Sequence, residues 1–150
     1  MSELVFMMGN FQASFPSDRR YCTNHMWAQT RNELTRFGFT AYAVRLLRDV
    51  YFLDWSVDEN SVLGRRQQIG SIESKKAESD LYAPLAGRLV RFNPALLEDP
   101  STINVDQYGH GWLFEMQVHG DRSLSVREYV EHLESVWKIT QRTLKGQLKE

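Results

Sequence analysis

The chain has 150 residues, of which 42% are hydrophobic and 25% charged, with a formal net charge of −1. That length suits one domain with a core of its own, and the near-neutral balance excludes a global field that would draw nucleic acid or an anionic membrane. Cys22 is the only cysteine, which excludes an internal disulfide and a thiolate metal cluster and fits a reducing cytoplasm. No run approaches the roughly 20 apolar residues of a membrane span, and the apolar start at Met1–Met8 lacks the basic region of a secretory leader.

Residues 1–20 are weakly patterned and read as an extension, with Phe15-Pro16-Ser17-Asp18 as a turn or linker, ahead of a single domain over residues 21–150. Tyr21 to Thr30 alternates enough for a strand with Trp27 inward, and Leu34–Phe39 reads as its return strand. Thr40 can cap a short helix running to Arg48, with Ala41, Val44, Leu46 and Leu47 on its inner face. Val50-Tyr51-Phe52-Leu53 has the continuous apolar character of a buried strand, and Asp58–Ser61 is a turn before Val62-Leu63-Gly64. Gln67–Ser74, Asp80–Tyr82 and Arg88–Asn93 follow as strands, the last with Leu89 and Phe92 inward. Residues 93–108 form a long connection containing Pro94 and Pro100, with a helical turn at Ala95–Glu98, before a late strand at Trp112–Val118. Ser125-Val126-Arg127-Glu128 is a capping box. It opens a helix whose Val126, Tyr129, Val130, Leu133, Val136, Trp137, Thr140 and Leu144 recur at helical spacing, with Gly146 as its stop. Many short strands with a flanking and a terminal helix predict an α+β fold, mostly β, built as a barrel or sandwich.

One stretch points to chemistry. Glu73-Ser74-Lys75-Lys76-Ala77 places lysines between two strands, and Ala83-Pro84-Leu85-Ala86-Gly87 follows as a second turn. A hairpin fixes its backbone while a lysine stem at the apex points into water, where a modifying enzyme can reach the amine. The attached group then supplies the chemistry and the protein supplies its placement. A pair of exposed lysines is by itself ordinary surface.

The surrounding residues make more of it. The stretch resembles the modification site of lipoyl carriers, Glu-Ser/Thr-x-Lys-Ala, and the chain is similar to the H-protein family of the glycine cleavage system from about Tyr21 to about Val118. Tyr21-Cys22-Thr23-Asn24-His25-Met26-Trp27 is similar to Tyr-x-x-x-His-Glu-Trp. Phe39–Ala43 and Leu47–Leu53 resemble Ile-Thr-Asp-Tyr-Ala and Leu-Gly-Asp-Ile-Val-Phe-Val. Asn93-Pro94-Ala95-Leu96 matches Asn-x-x-Leu, and Asn104–Leu113 matches Asn-x-Asp-Pro-Tyr-Gly-x-Gly-Trp-Leu. The resemblance implies a lipoyl-type hybrid barrel-sandwich, lipoate joined covalently to Lys76, and no catalysis by the chain itself. It places Glu73, Ser74, Ala77 and Asp80 as recognition or cleft residues and Asn24, His25 and Met26 as candidate cleft residues. Biotin carriers are less similar, since their lysine lies between two methionines.

The chain departs from the family at four places. Met26 stands where the family has the glutamate that shelters a cationic aminomethyl cargo, and a thioether cannot neutralise an ammonium. Asp80 could still supply a carboxylate. Lys75 replaces an apolar residue, Arg48 replaces a glycine, and Arg65 and Arg66 add positive charge that the sequence order places near the tip. This pattern resembles the lipoate-binding proteins of the heterodisulfide-reductase-like sulfur oxidation system. The expected partners are therefore a lipoate-attaching enzyme and either a heterodisulfide-reductase-like complex or the glycine cleavage enzymes, with no nucleic acid and no membrane. The H-protein of glycine cleavage itself and an unmodified adaptor of the same fold are the alternatives. His110, His119 and His132 give no metal-ligand spacing with His25, and Cys22 reads as a buried structural thiol.

Overall fold

A computed structural model describes the backbone of residues 3–120 and 122–149, with side chains through residue 139. Its elements in order are β1 (Glu3–Met8), β2 (Phe11–Pro16), β3 (Arg20–Tyr21), β4 (Met26–Arg31), β5 (Leu34–Phe39), α1 (Ala41–Leu47), β6 (Val50–Trp55), β7 (Val62–Leu63), β8 (Gln68–Ser74), β9 (Glu78–Tyr82), β10 (Gly87–Phe92), α2 (Pro94–Glu98), α3 (Thr102–Val105), β11 (Phe114–Val118) and α4 (Val126–Lys149). They assemble three sheets: the hairpin β1-β2, a six-stranded sheet ordered β3-β4-β5-β11-β10-β7, and a three-stranded sheet ordered β6-β8-β9. The predicted mostly-β fold with a terminal helix is the one observed.

Two buried clusters hold the elements together. The first joins the six-stranded and three-stranded sheets through Phe37, Ile69, Ile72, Leu89, Leu113, Phe114 and Met116, all at most 1% exposed. The second is aromatic, with Phe15, Tyr21, Trp27, Tyr42 and Tyr129 beneath β1-β2, α1 and α4. Burial of a side chain this large is worth about 1.5–3 kcal/mol, so these rings are what hold α4 against the sheet. Gly38 permits part of this packing, because a Cβ there would collide with the Trp27 indole, whose Nε1–H donates to the Gln107 carbonyl at 2.8 Å.

Residues 3–16, which read as unpatterned, form an antiparallel hairpin that buries Met8, Ala13 and Phe15 in the second cluster. Tyr21 to Thr30 is not one strand. After β3 the chain turns over Cys22–His25, closed by Cys22 N–H to the Met26 carbonyl at 2.8 Å and His25 N–H to the Cys22 carbonyl at 3.0 Å, with His25 at φ 69°. Nor is Val50–Leu53 buried throughout. It belongs to an edge strand paired with β8 alone, and a register irregularity after Val50 leaves Tyr51 and Phe52 59% and 44% exposed.

The capping box is present as expected: Ser125 N–H donates to the Glu128 carboxylate at 2.9 Å and Glu128 N–H to Ser125 Oγ at 3.2 Å. Gly146 does not stop α4, which runs on to Lys149. One glycine within a helix costs only about 1 kcal/mol and ends it only by turning left-handed. The predicted inward Thr140 and Leu144 lie outside the described side chains. In α1 the inner face is wider than expected, with Tyr42 and Ala43 buried beside Ala41 and Leu47 and Val44 only half-buried. The connection after β10 holds the expected turn as α2, begun by Asn93 Oδ1 accepting from Ala95 N–H at 3.0 Å, and adds α3, which showed no periodicity. Asn104 of α3 accepts from Val50 N–H at 2.9 Å and donates to the Arg48 carbonyl at 2.5 Å, tying this connection to the start of β6.

Candidate functional site

Strands β8 and β9 pair from Gln68↔Tyr82 to Glu73↔Glu78, leaving Ser74–Ala77 as the apex. The apex is tied by one buried serine. Ser74 N–H donates to the Ala77 carbonyl at 2.8 Å, and Ser74 Oγ accepts from Ala77 N–H at 3.2 Å and Lys76 N–H at 3.4 Å. A hydroxyl suits this position because it accepts from both turn amides while its own hydrogen reaches the Ala77 carbonyl at 3.3 Å. Lys76 is exposed at the summit and its ammonium has no carboxylate partner among the described residues. Lys75 differs: its N–H bonds the Asp49 carbonyl at 3.1 Å and its Nζ lies 3.6 Å from the Asp49 carboxylate. That exposed ion pair is worth under about 1 kcal/mol, but with the backbone bond it turns Lys75 toward β6. Glu73 and Glu78 face each other across the strands below the apex, a like-charge pair that costs stability and gives the tip an acidic collar.

Beside the apex lies a cleft of about 300 Å³ lined by Asn24, His25 and Met26, by Phe39, by Ala43, Leu46 and Leu47 of α1, and by Ile72 and Ala77–Tyr82 of the hairpin. The structure therefore brings the predicted cleft residues Asn24, His25, Met26, Ala77 and Asp80 around one space adjacent to Lys76. Glu73 is not among its lining residues, and Ser74 holds the turn. Leu46, Leu47 and Phe39 were not expected there; the α1 periodicity that marked Leu46 and Leu47 as inward was the available signal.

The turn over Cys22–His25 aims Asn24 and His25 at the cleft. Asn24 Nδ2 donates to the Tyr82 carbonyl at 3.1 Å, while its buried Oδ1 has no hydrogen-bond partner. An orphan buried acceptor is costly and marks a place where a donor would be welcome. Met26 is 1% exposed and forms apolar floor. Asp80 is exposed on β9. His25 closes the wall: its Nδ1 lies 2.9 Å from the Tyr129 hydroxyl, which lies 2.9 Å from Thr40 Oγ1, and its ring packs 4.6 Å from that of Tyr42. Burial, with a smaller effect of His132, pushes the His25 pKa down to about 4, so the imidazole stays neutral. Burial raises Tyr129 well above the usual tyrosine range, which keeps its hydroxyl protonated and able to serve both neighbours.

Other residues singled out by the sequence lie elsewhere. Cys22 is buried and forms no disulfide. His110 is an exposed loop residue that bonds the Asp106 carboxylate at 2.9 Å. Arg48 occupies φ 66°, ψ −142°, backbone that favours glycine. Arg65 and Arg66 are not near the tip. They precede β8, whose seven residues span roughly 23 Å, so they sit at the far end of the hairpin from Lys76. No helix among the described residues is long and apolar enough to cross a membrane.

The family model described as Glycine cleavage H-protein matches residues 19–142. The probable glycine cleavage system H protein of Natronomonas pharaonis is 41% identical over 107 residues, covering 71% of this chain and 83% of that one. The glycine cleavage system H protein of Crocosphaera subtropica is 37% identical over 128 residues, covering 82% of this chain and 96% of its own. The crystal structure of a glycine cleavage system H protein from Mycobacterium marinum superimposes with a TM-score of 0.70 at 33% identity, covering 78% of this chain and 97% of that one. The chain belongs to the glycine cleavage H-protein family.

Proposed function

We propose that this protein is a non-catalytic lipoyl carrier of the glycine cleavage type, with lipoate amide-linked to Lys76 and residues 21–150 as the carrier domain behind the extension 1–20. The observation that carries the reading is an exposed lysine, without a carboxylate partner among the described residues, on a serine-tied hairpin apex beside a cleft. The residues present fit such a group: the apex offers the amine to an attaching enzyme, and the cleft of about 300 Å³ is mostly apolar and polar at Asn24 and Asp80. Lipoate would supply a dithiolane that partner enzymes open, load and reoxidise. Each of the chain's own residues has a simpler task. Ser74 fixes the backbone of the turn, and Lys75, itself exposed, is paired with Asp49, which leaves the Lys76 amine as the unpaired one of the two among the described residues. Leu46, Leu47 and Phe39 exclude water from a sheltered arm.

The relatives are named for glycine cleavage, and the polar end of the cleft suits a cargo bearing an ammonium. Asn24 Oδ1 is a buried acceptor without a donor, and Asp80 offers a carboxylate nearby. A second reading, an uncharged cargo such as the sulfur of a heterodisulfide-reductase-like pathway, has Met26 in its favour, a charge-free floor where the family places a glutamate. Of the basic residues that also suggested it, Arg65 and Arg66 lie at the other end of β8 and lend it nothing, while Lys75 stands at the apex and is paired with Asp49.

The proposed partners are a lipoate-attaching enzyme and the glycine cleavage enzymes. The lipoylated protein is to be incubated with glycine and a glycine decarboxylase that loads an ordinary H-protein. Loading of this chain is the expected result, and failure with that competent enzyme overturns the glycine reading in favour of the second. An unmodified adaptor would instead bind its partners equally as wild type and as Lys76→Ala.

A further inference from the structure

At the far end of the β8–β9 hairpin lies a concavity of about 550 Å³ that the carrier function does not use, formed by Arg65, Arg66, His119 and Arg122 over a floor of Leu85 and Ala86. Two loops build it. Arg65 and Arg66 belong to the turn between β7 and β8, closed by Gln67 N–H to the Gly64 carbonyl at 3.1 Å. His119 and Arg122 belong to the loop between β11 and α4, held by His119 N–H to the Ala86 carbonyl at 2.9 Å. Among the described residues, no acidic side chain lines the concavity and no ion pair joins Arg65, Arg66 or Arg122. Arg36 and Arg91 of the six-stranded sheet, by contrast, both pair with Glu115, at 3.1 and 2.6 Å.

Arg66 adds an independent observation. It holds φ 69°, left-handed backbone that glycine or asparagine adopts more cheaply, at a cost of about 1 kcal/mol or more for a long side chain. Arg66 nevertheless lines the concavity beside Arg65 and Arg122. Three like charges gathered on one concave surface repel each other unless an anion joins them. Arginine, rather than lysine, is the side chain whose planar fork meets an oxyanion through two parallel hydrogen bonds.

We propose that Arg65, Arg66 and Arg122, with the His119 imidazole as a further donor, form a binding site for a compact oxyanion with at least two negative charges, phosphate-bearing or carboxylate-bearing. The apolar floor of Leu85 and Ala86 excludes water from one side of the ligand and strengthens the charge-assisted bonds above it. Because the site lies about one hairpin length from Lys76, a bound anion leaves the tip free for partner enzymes.

Calorimetric titration of the full-length protein at low ionic strength, with inorganic pyrophosphate in one arm and citrate in the other, tests this. Saturable binding of either probe with one-to-one stoichiometry is expected, and the arm that binds more tightly identifies the oxyanion. Arg66→Gly should fold at least as stably, since its backbone strain is relieved, yet bind about tenfold more weakly, as should Arg122→Gln. Arg127→Gln, on the exposed face of α4, should bind as wild type does. Absence of saturable binding in both arms overturns the proposal. So does equal weakening by Arg127→Gln, because binding would then be diffuse surface attraction.

Discussion

The two walls of the cleft beside Lys76 are made by opposite means. The hairpin wall is stiff because a few backbone bonds and one buried hydroxyl close its apex, and Lys75 and Lys76 above it face water. The facing wall is stiff because His25 is held among Tyr42, Tyr129 and Thr40, where burial keeps the imidazole neutral. A carrier needs both kinds. The group to be modified must be reachable, while the surface that shelters its cargo must hold its shape and charge when the arm arrives.

Breaking the buried wall should cost most. Tyr129→Phe strips the hydroxyl that serves both His25 Nδ1 and Thr40 Oγ1, leaving His25 Nδ1 without that bond and Thr40 Oγ1 with only its cap bond from Ala43 N–H at 3.4 Å. A loss of about 1–3 kcal/mol is expected, read as a lower denaturant midpoint at unchanged slope. The hairpin counterpart, Ser74→Ala, should cost about 1 kcal/mol or less globally. It should instead loosen the apex, seen as faster amide exchange at Lys76 and Ala77 with the cleft wall unaffected.

Acid should separate the walls in the same way. His25 must stay neutral to keep its place, and its folded pKa near 4 lies below the ordinary 6.5. Its contribution is therefore fully present above about pH 6.5, falls as the pH drops through that value, and levels off near pH 4. Stability should decline across that window by an amount on the order of a few kcal/mol, and His25→Gln should flatten the decline. A smaller effect should come from Arg48, which closes α1 in backbone that suits glycine. Arg48→Gly should raise stability by about 1 kcal/mol without moving either wall.

The two regions also differed in how far the sequence revealed them. The apex was legible because its bonds join residues at most three apart, and so was the capping box, where Ser125 and Glu128 satisfy one another within a single turn. The cleft wall was only half legible. The turn over Cys22–His25 depends on a left-handed residue at His25, one place after the asparagine that would signal it, so the segment read as continuous strand. Tyr51 and Phe52 looked buried because apolar character does not say which strand lies at a sheet edge. Arg65 and Arg66 looked close to Lys76 because closeness along the chain becomes distance once β8 is extended.

The central claim is that Lys76 is the one acyl acceptor. Intact-mass and peptide-mass measurement of the protein from cells with an active lipoate-attaching enzyme, beside Lys76→Ala from the same cells, tests it directly. The account predicts a single lipoyl addition mapped to Lys76 in the wild type and none in the variant. An unmodified wild type, or an addition that persists on Lys75 in the variant, would contradict it.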